Sequence, residues 1–388
     1  MTHIHLLSNA IMFRVCLTSS WFFLSCVVVA QSPSQKQSPL LEDELLRRNV
    51  LPLVTTHRGE VAVVIQHLNT GDTFRYHENV VMPAASLIKL PLMVTAYHAA
   101  KLGDLDLGKP VVLQETDKVP GSGILTDHFS AGATLPVRDY IRLMMRESDN
   151  TATNVIIDQI GLVATTKQME SLGLSETKLY SKVYRGSTTL FAERSKQFGI
   201  GSTTANEMVT LLQLLSEQKL ADPSDTQTMF AHLASCTDRQ MLARYLSPDT
   251  KFFHKTGAIS NCRTDAGIME TSTGPVAVCV LTNRNRDQSW GDMNEAELLC
   301  AKIGRIIVDR YGAIEPDPTL RQGSTGLLVE ALQRALNAKL EPTPDLHVDG
   351  EFGPGTEAAL KRLQKQHNLP TSGELDKLTS TIIDLVTE

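Results

Sequence analysis

The 388-residue chain predicts an α+β domain followed by a small three-helix domain. Two observations predict it. Apolar, β-branched runs lie on both sides of a long helical middle, so one sheet is assembled from the two ends of a single domain. Composition then shifts at the Pro-punctuated stretch 311–318, beyond which about 70 residues carry helical patterns. The expected divisions are an export signal over 1–30, a linker over 31–40, the α+β domain over 41–312, a second linker over 313–319 and the helical domain over 320–386.

The elements follow in order. Residues 41–48 read as a short helix. The β-branched run 61–65, the turn Asn69-Thr-Gly-Asp72 and residues 73–76 make a hairpin. Residues 84–101 are helical in character, and 136–160 read as two helices broken near Ser148-Asp149-Asn150. An amphipathic helix covers 204–219. Strands follow at 252–256, 267–270 and 276–282, and a helix over 293–311 closes the domain. Beyond the second linker, helices are expected at 325–338, 355–367 and 376–386. A turn cluster over 348–356 separates the first two, and no tandem repeat is apparent.

Composition excludes several function classes. Hydrophobic residues make up 42% and charged residues 21%, enough for a sizeable core. The net charge of -6 gives no support to phosphate neutralisation, and 5% aromatics give no stacking platform, so no nucleic-acid partner is expected. No apolar run approaches the roughly 18 residues of a spanning helix. Arg14, the short apolar stretch 15–30 and the small residues Val28 and Ala30 form a signal-peptide pattern ending before Gln31. No stable membrane span is expected after cleavage, and the mature chain should be periplasmic, cell-wall associated or secreted. Leu24-Ser25-Cys26 is discounted as a lipidation site because three valines follow it.

Two of six cysteines, Cys16 and Cys26, fall in the signal. Cys236, Cys262, Cys279 and Cys300 remain; they allow three complete pairings, among which the sequence does not choose. Cys279 lies in an apolar run and reads as a buried free thiol. There is no CxxC and no His/Cys cluster, so neither a metal nor a cofactor is expected.

Three short motifs carry the chemistry. Ser86-Leu-Ile-Lys89 opens a helix, where residues i and i+3 share a face. A serine needs a neighbouring base to become a nucleophile, and a desolvated lysine near a second cation loses its proton readily. Ser148-Asp149-Asn150 follows in the break between two helices. Lys255-Thr256-Gly257 ends an apolar strand; Lys255 supplies the second cation, and Gly257 clears the strand edge for substrate. The N–H groups of Ser86 and Ala258 can then form an oxyanion hole. The SxxK spacing alone is weak, since it recurs at Ser175 to Lys178 and Ser216 to Lys219. Its weight comes from the three motifs in order on fitting elements.

This trio resembles the serine β-lactamase and penicillin-binding superfamily, and Pro83-Ala-Ala-Ser-Leu-Ile-Lys-Leu-Pro91 and Ser148-Asp-Asn-Thr-Ala-Thr-Asn154 look like class A β-lactamases. The resemblance implies an antiparallel sheet with a helical subdomain over about 41–312. It implies Ser86 as acylated nucleophile, Lys89 as base, Ser148 as proton shuttle and Asn150 as a partner of the substrate amide. Lys255 and Thr256 would contact the substrate carboxylate, with Arg263 as a further candidate. One departure stands out. Class A enzymes carry E-x-x-L-N on the loop after SDN, and residues 179–204 lack it. Glu193 is the single carboxylate on that stretch and the candidate for activating the deacylating water.

Residues 318–385 resemble the peptidoglycan-binding domain of cell-wall hydrolases, through Leu320-Arg-Gln-Gly-Ser324 and Val348-Asp-Gly-Glu-Phe-Gly-Pro354. The resemblance implies anchoring to peptidoglycan. The expected protein is an exported, wall-tethered β-lactamase working through a Ser86 acyl-enzyme. Its rivals are a D,D-peptidase acting on wall peptides and a sensor that acylates without turning over.

Overall fold

β-Branched residues alternate along the first hairpin, and the alternation fixes its two faces. The computed structural model describes residues 42–291, 293–312, 319–376 and 379–383. Helix α1 (Glu44–Thr56) is capped by Asp43, whose carboxylate accepts the Leu45 and Leu46 N–H groups at 3.0 Å. It runs well past the expected end at 48, with Pro52 inside it. Strands β1 (Glu60–His67) and β2 (Thr73–Tyr76) follow, then helices α2 (Lys89–Leu102), α3 (Val137–Arg146), α4 (Asn150–Ile160), α5 (Ala205–Ser216) and α6 (Pro223–Ala234). Strands β3 (Phe252–Ile259), β4 (Cys262–Thr271) and β5 (Gly274–Asn283) and helix α7 (Glu295–Tyr311) complete the domain.

The five strands form one antiparallel sheet in the order β2-β1-β5-β4-β3. N- and C-terminal segments therefore meet at β1 and β5, as the α+β reading requires. Successive strand residues face opposite sides. Val61, Val63 and Ile65 of β1, with Val276, Val278 and Val280 of β5, pack against α1 and α7. Ala62 and Val64, with Ala277, Cys279 and Leu281, pack into the larger core under the helical middle. Strand β3 is left at the sheet edge, facing the turn that precedes α2. The expected export signal and first linker, and most of the second linker, lie outside the described residues. Among those described, no helix is long and apolar enough to cross a membrane. Cys236, Cys262, Cys279 and Cys300 are all free thiols, and Cys279 is buried.

The C-terminal domain packs α8 (Leu327–Lys339) on α9 (Pro354–Gln366) through Val329, Leu332, Leu336, Leu360 and Leu363. Where a third helix over 376–386 was expected, the described residues hold a single 3-10 turn, Thr379–Ile382. A repeat the sequence pattern hid is also present. Buried Gln333 accepts the N–H groups of Asp349 and Gly350 and donates to Glu351 O and Thr356 Oγ1. Buried Gln364 accepts the Gly373 N–H and donates to Glu374 O and Thr379 Oγ1. Each helix thus clamps a glycine turn with one glutamine, so the domain is two similar halves. The domain rests on the β3-preceding segment of the larger one: Arg244 pairs with Glu351 at 3.2 Å, and Thr325 Oγ1 donates to Arg244 O at 3.0 Å.

Candidate active site

Three loops converge at the edge strand. Ser86 sits in the 3-10 turn Ala85–Ile88, and Lys89 begins α2. Ala85 (φ 46°) and Ser148 (φ 50°) are both left-handed without being glycine. Such backbones cost about 1–3 kcal/mol each and persist where surrounding contacts over-determine them. At Ser148 those contacts are visible. Asp149 caps α4 through Ala152 N–H at 2.8 Å and also accepts the Ile124 and Leu125 N–H groups at 2.7 and 2.8 Å.

Lys89 is fully buried behind the turn. Its Nζ donates to Ser148 O at 2.6 Å, Ser148 Oγ at 3.1 Å and Asn150 Oδ1 at 2.9 Å. Among the described residues its hydrogen bonds all go to the Ser148–Asn150 turn. Burial, and then the positive charge of Lys255, push the Lys89 amine well below its ordinary value, with Asp149 opposing. Lys255 is also fully buried and donates to Thr256 O at 2.7 Å. Burial lowers its pKa too, against the attraction of Cys236, Asp238 and Asp265.

Gly257 explains how β3 comes close. A Cβ there would lie 2.8 Å from both Ser86 N and Leu87 N and 2.5 Å from Thr264 Oγ1. A side chain would push the strand off the serine turn. Ser86, Ser148, Asn150, Lys255, Thr256, Gly257 and Ala258 all line one cleft of about 670 Å³.

Two expected site residues, Glu193 and Arg263, are not among those that line the cleft. Glu193 lies on the short helix Ala192–Phe198, where its side chain is 85% exposed and pairs with Lys196 at 2.8 Å. It does not line the cleft. Arg263, on β4, is fully buried behind the cleft-lining Ile259 and Trp290. It donates to Glu297 Oε1 at 2.7 Å, Ile259 O at 2.6 Å, Cys262 O at 3.1 Å and Ser289 O at 2.9 Å, with Trp290 over its guanidinium. It ties the β3–β4 hairpin to α7. Arg263→Ala should therefore lower stability by about 3–5 kcal/mol, because it strands the nearly buried Glu297 carboxylate. The check is the midpoint of urea unfolding.

Other cleft residues escaped the sequence reading. Ser122 donates to Ser148 O at 2.7 Å. Its signal was the glycine on either side: a Cβ on Gly121 would come 2.7 Å from Asn150 Nδ2, and one on Gly123 would come 2.3 Å from Asp149 Cγ. Glu147 lines the cleft beside Ser148 and accepts from Arg146 Nε at 2.8 Å. Asp238, Tyr184 and Cys236 complete a wall built from irregular segments, where no periodicity marks direction.

Residues 45–311 match the model of the beta-lactamase enzyme family, and residues 325–383 match that of a peptidoglycan binding domain. The beta-lactamase regulatory protein BlaB of Streptomyces cacaoi is 25% identical over 315 residues, covering 70% of this chain and 99% of that protein. A beta-lactamase from Streptomyces cellulosae is 30% identical over 141 residues, 34% of this chain and 43% of that protein. Among solved structures, a beta-lactamase from Sphaerobacter thermophilus is 29% identical with a TM-score of 0.61, covering 70% of this chain and 99% of that one. PBP-A, at 20% identity and a TM-score of 0.62, covers 71% of this chain and 98% of that one, and shares the fold.

Proposed function

We propose, from the premise that the chain belongs to the beta-lactamase enzyme family, that it is a wall-bound serine acyl-transfer protein whose Ser86 ester clears slowly. Its acyl donors are β-lactams and the wall-peptide amides of the same anionic class. In this reading the segment 1–30 directs export, and the C-terminal domain holds the protein on peptidoglycan.

The reaction follows from the groups in place. Neutral Lys89 takes the Ser86 hydroxyl proton, directly or through Ser148 Oγ, as Ser86 Oγ attacks the substrate carbonyl carbon. The N–H groups of Ser86 and Ala258 receive the developing oxyanion. Ser148 returns the proton to the leaving nitrogen, the C–N bond breaks and an ester remains on Ser86. Lys255 and Thr256 hold the substrate carboxylate at the strand edge.

One observation carries the slow-clearance half of this reading. The carboxylate on the loop after SDN, Glu193, is solvated and paired with Lys196 rather than turned to the cleft. A general base contributes about 10²–10⁴ in rate, and an ester without one persists. A second reading, steady hydrolysis, is favoured by Glu147, which lines the cleft next to Ser148. Variants at both positions separate the two. Under slow clearance, Glu193→Gln and Glu147→Gln both keep the acyl-enzyme lifetime within about twofold. Under steady hydrolysis, Glu147→Gln lengthens it by about 10²–10⁴.

Anchoring is tested separately. The full chain should pellet with purified peptidoglycan sacculi, and a chain ending before residue 319 should stay in the supernatant while still taking penicillin at Ser86. Equal pelleting of both would refute the anchoring role.

A further inference from the structure

Cys236 stands on the wall of the same cleft, and acylation at Ser86 makes no use of it. It is half-buried, just beyond the end of α6. Its surroundings are not those of an inert core thiol. His254 on β3 is buried beside it, with Nδ1 3.0 Å from Asp265 Oδ1. Asp265 Oδ2 accepts the Leu242 N–H at 3.0 Å, which fixes the carboxylate. The Cys236 sulfur lies 3.8 Å from Asp238 O, with His254 as the neighbouring cation that acts on it. Phe252 stacks on the ring at 4.3 Å and holds its plane. A thiol, an imidazole and an orienting carboxylate are thus in sequence, with the thiol end open to the cleft.

The charges agree with this geometry. Burial works against a charged His254, but the Asp265 charge and hydrogen bond lift it to about 10, so the ring is an imidazolium at neutral pH. Burial pushes the Cys236 thiol up. The hydrogen bond and charge of His254, and the charge of Lys255, outweigh it and bring the thiol below its ordinary value, with Asp265 opposing. The thiolate is the reactive form of cysteine. The other described cysteines contrast: Cys262, Cys279 and Cys300 are fully buried, and burial raises all three.

We propose that Cys236, with His254 and Asp265 behind it, is a thiol–disulfide exchange site that takes a small disulfide and closes the cleft to acyl donors. The Cys236 thiolate attacks one sulfur of the disulfide. A new S–S bond forms to Cys236, the original S–S bond breaks, and the released thiolate takes a proton from solvent. The disulfide is the oxidant, and no other is needed. The group left on Cys236 shares the cleft with Ser86 and Lys255, so it stands where the substrate must lie. A reducing thiol reverses the step. The block on acylation rests on the reading of Ser86 given above; the exchange itself does not.

The test treats the native full chain with dithiobis(nitrobenzoate), whose exchange releases a coloured thiolate. One fast equivalent is expected, mapped by peptide mass to Cys236. His254→Gln should slow that release roughly tenfold or more, since the imidazolium no longer supports the thiolate. The adduct should cut penicillin labelling of Ser86 at least tenfold, and dithiothreitol should restore it. Cys236→Ser should lose the fast equivalent and label with penicillin whether treated or not. A folded chain whose Cys236 does not react, or reacts as fast in His254→Gln, overturns the proposal, as does an adduct that leaves labelling unchanged. If the untreated chain takes no penicillin at all, the acyl-enzyme reading fails, while the rate of coloured release still decides the exchange site.

Discussion

Ser86→Ala takes up no penicillin, while the unmodified chain gains the mass of one opened drug molecule on the Ser86 peptide. The loss should be complete rather than partial. Ser86 is brought by its turn to the edge of β3, where Gly257, having no side chain, lets the strand come close to the Ser86 N–H. Ser148 and Ser122 also line the cleft. Ser148 Oγ already accepts from Lys89, and Ser122 Oγ donates to Ser148 O, so both are committed to the loop. Labelling that survives Ser86→Ala would move the nucleophile to one of these serines.

Lys89→Met lowers the acylation rate by about 10²–10⁴, the usual contribution of a positioned base. The pH dependence tests the same role with the sign worked out. Below its own pKa the ammonium donates its three protons to Ser148 O, Ser148 Oγ and Asn150 Oδ1 and can accept none. Above it the neutral amine can take the Ser86 proton. Acylation should therefore rise with pH, with a midpoint well below that of an ordinary lysine, because burial and the nearby Lys255 charge favour the neutral form. Removing that neighbour in Lys255→Ala should move the midpoint upward. A rate that is flat with pH, or that survives Lys89→Met, would give the base role to another group.

What could be read from the sequence followed regular structure. The three motifs lie on a helix start, a helix-helix break and an edge strand, and each of those leaves a periodic or capping signal. Gly257 could be placed as a point of close approach from residue type alone. The harder placements fall where periodicity ends or where the partner lies far along the chain. Arg263 is the second residue of β4 and pairs with Ala258 across the hairpin, and only the register decides which face its side chain takes. Its partner Glu297 lies on α7, a contact no local pattern announces. Glu193 sits on a stretch of short turns, where counting residues from the SDN motif does not give direction. The paired glutamine clamps of the C-terminal domain went unseen because their turns sit at different distances from Gln333 and Gln364.

The proposed function requires a Ser86 ester that forms readily and clears slowly. Its most direct test is the intact mass of the full chain followed over time after mixing with a slight excess of benzylpenicillin. A single adduct on the Ser86 peptide is expected to form within the first time points and to persist long after the free drug is exhausted. Complete consumption of the drug over many turnovers, with the chain back at its unmodified mass, would contradict it.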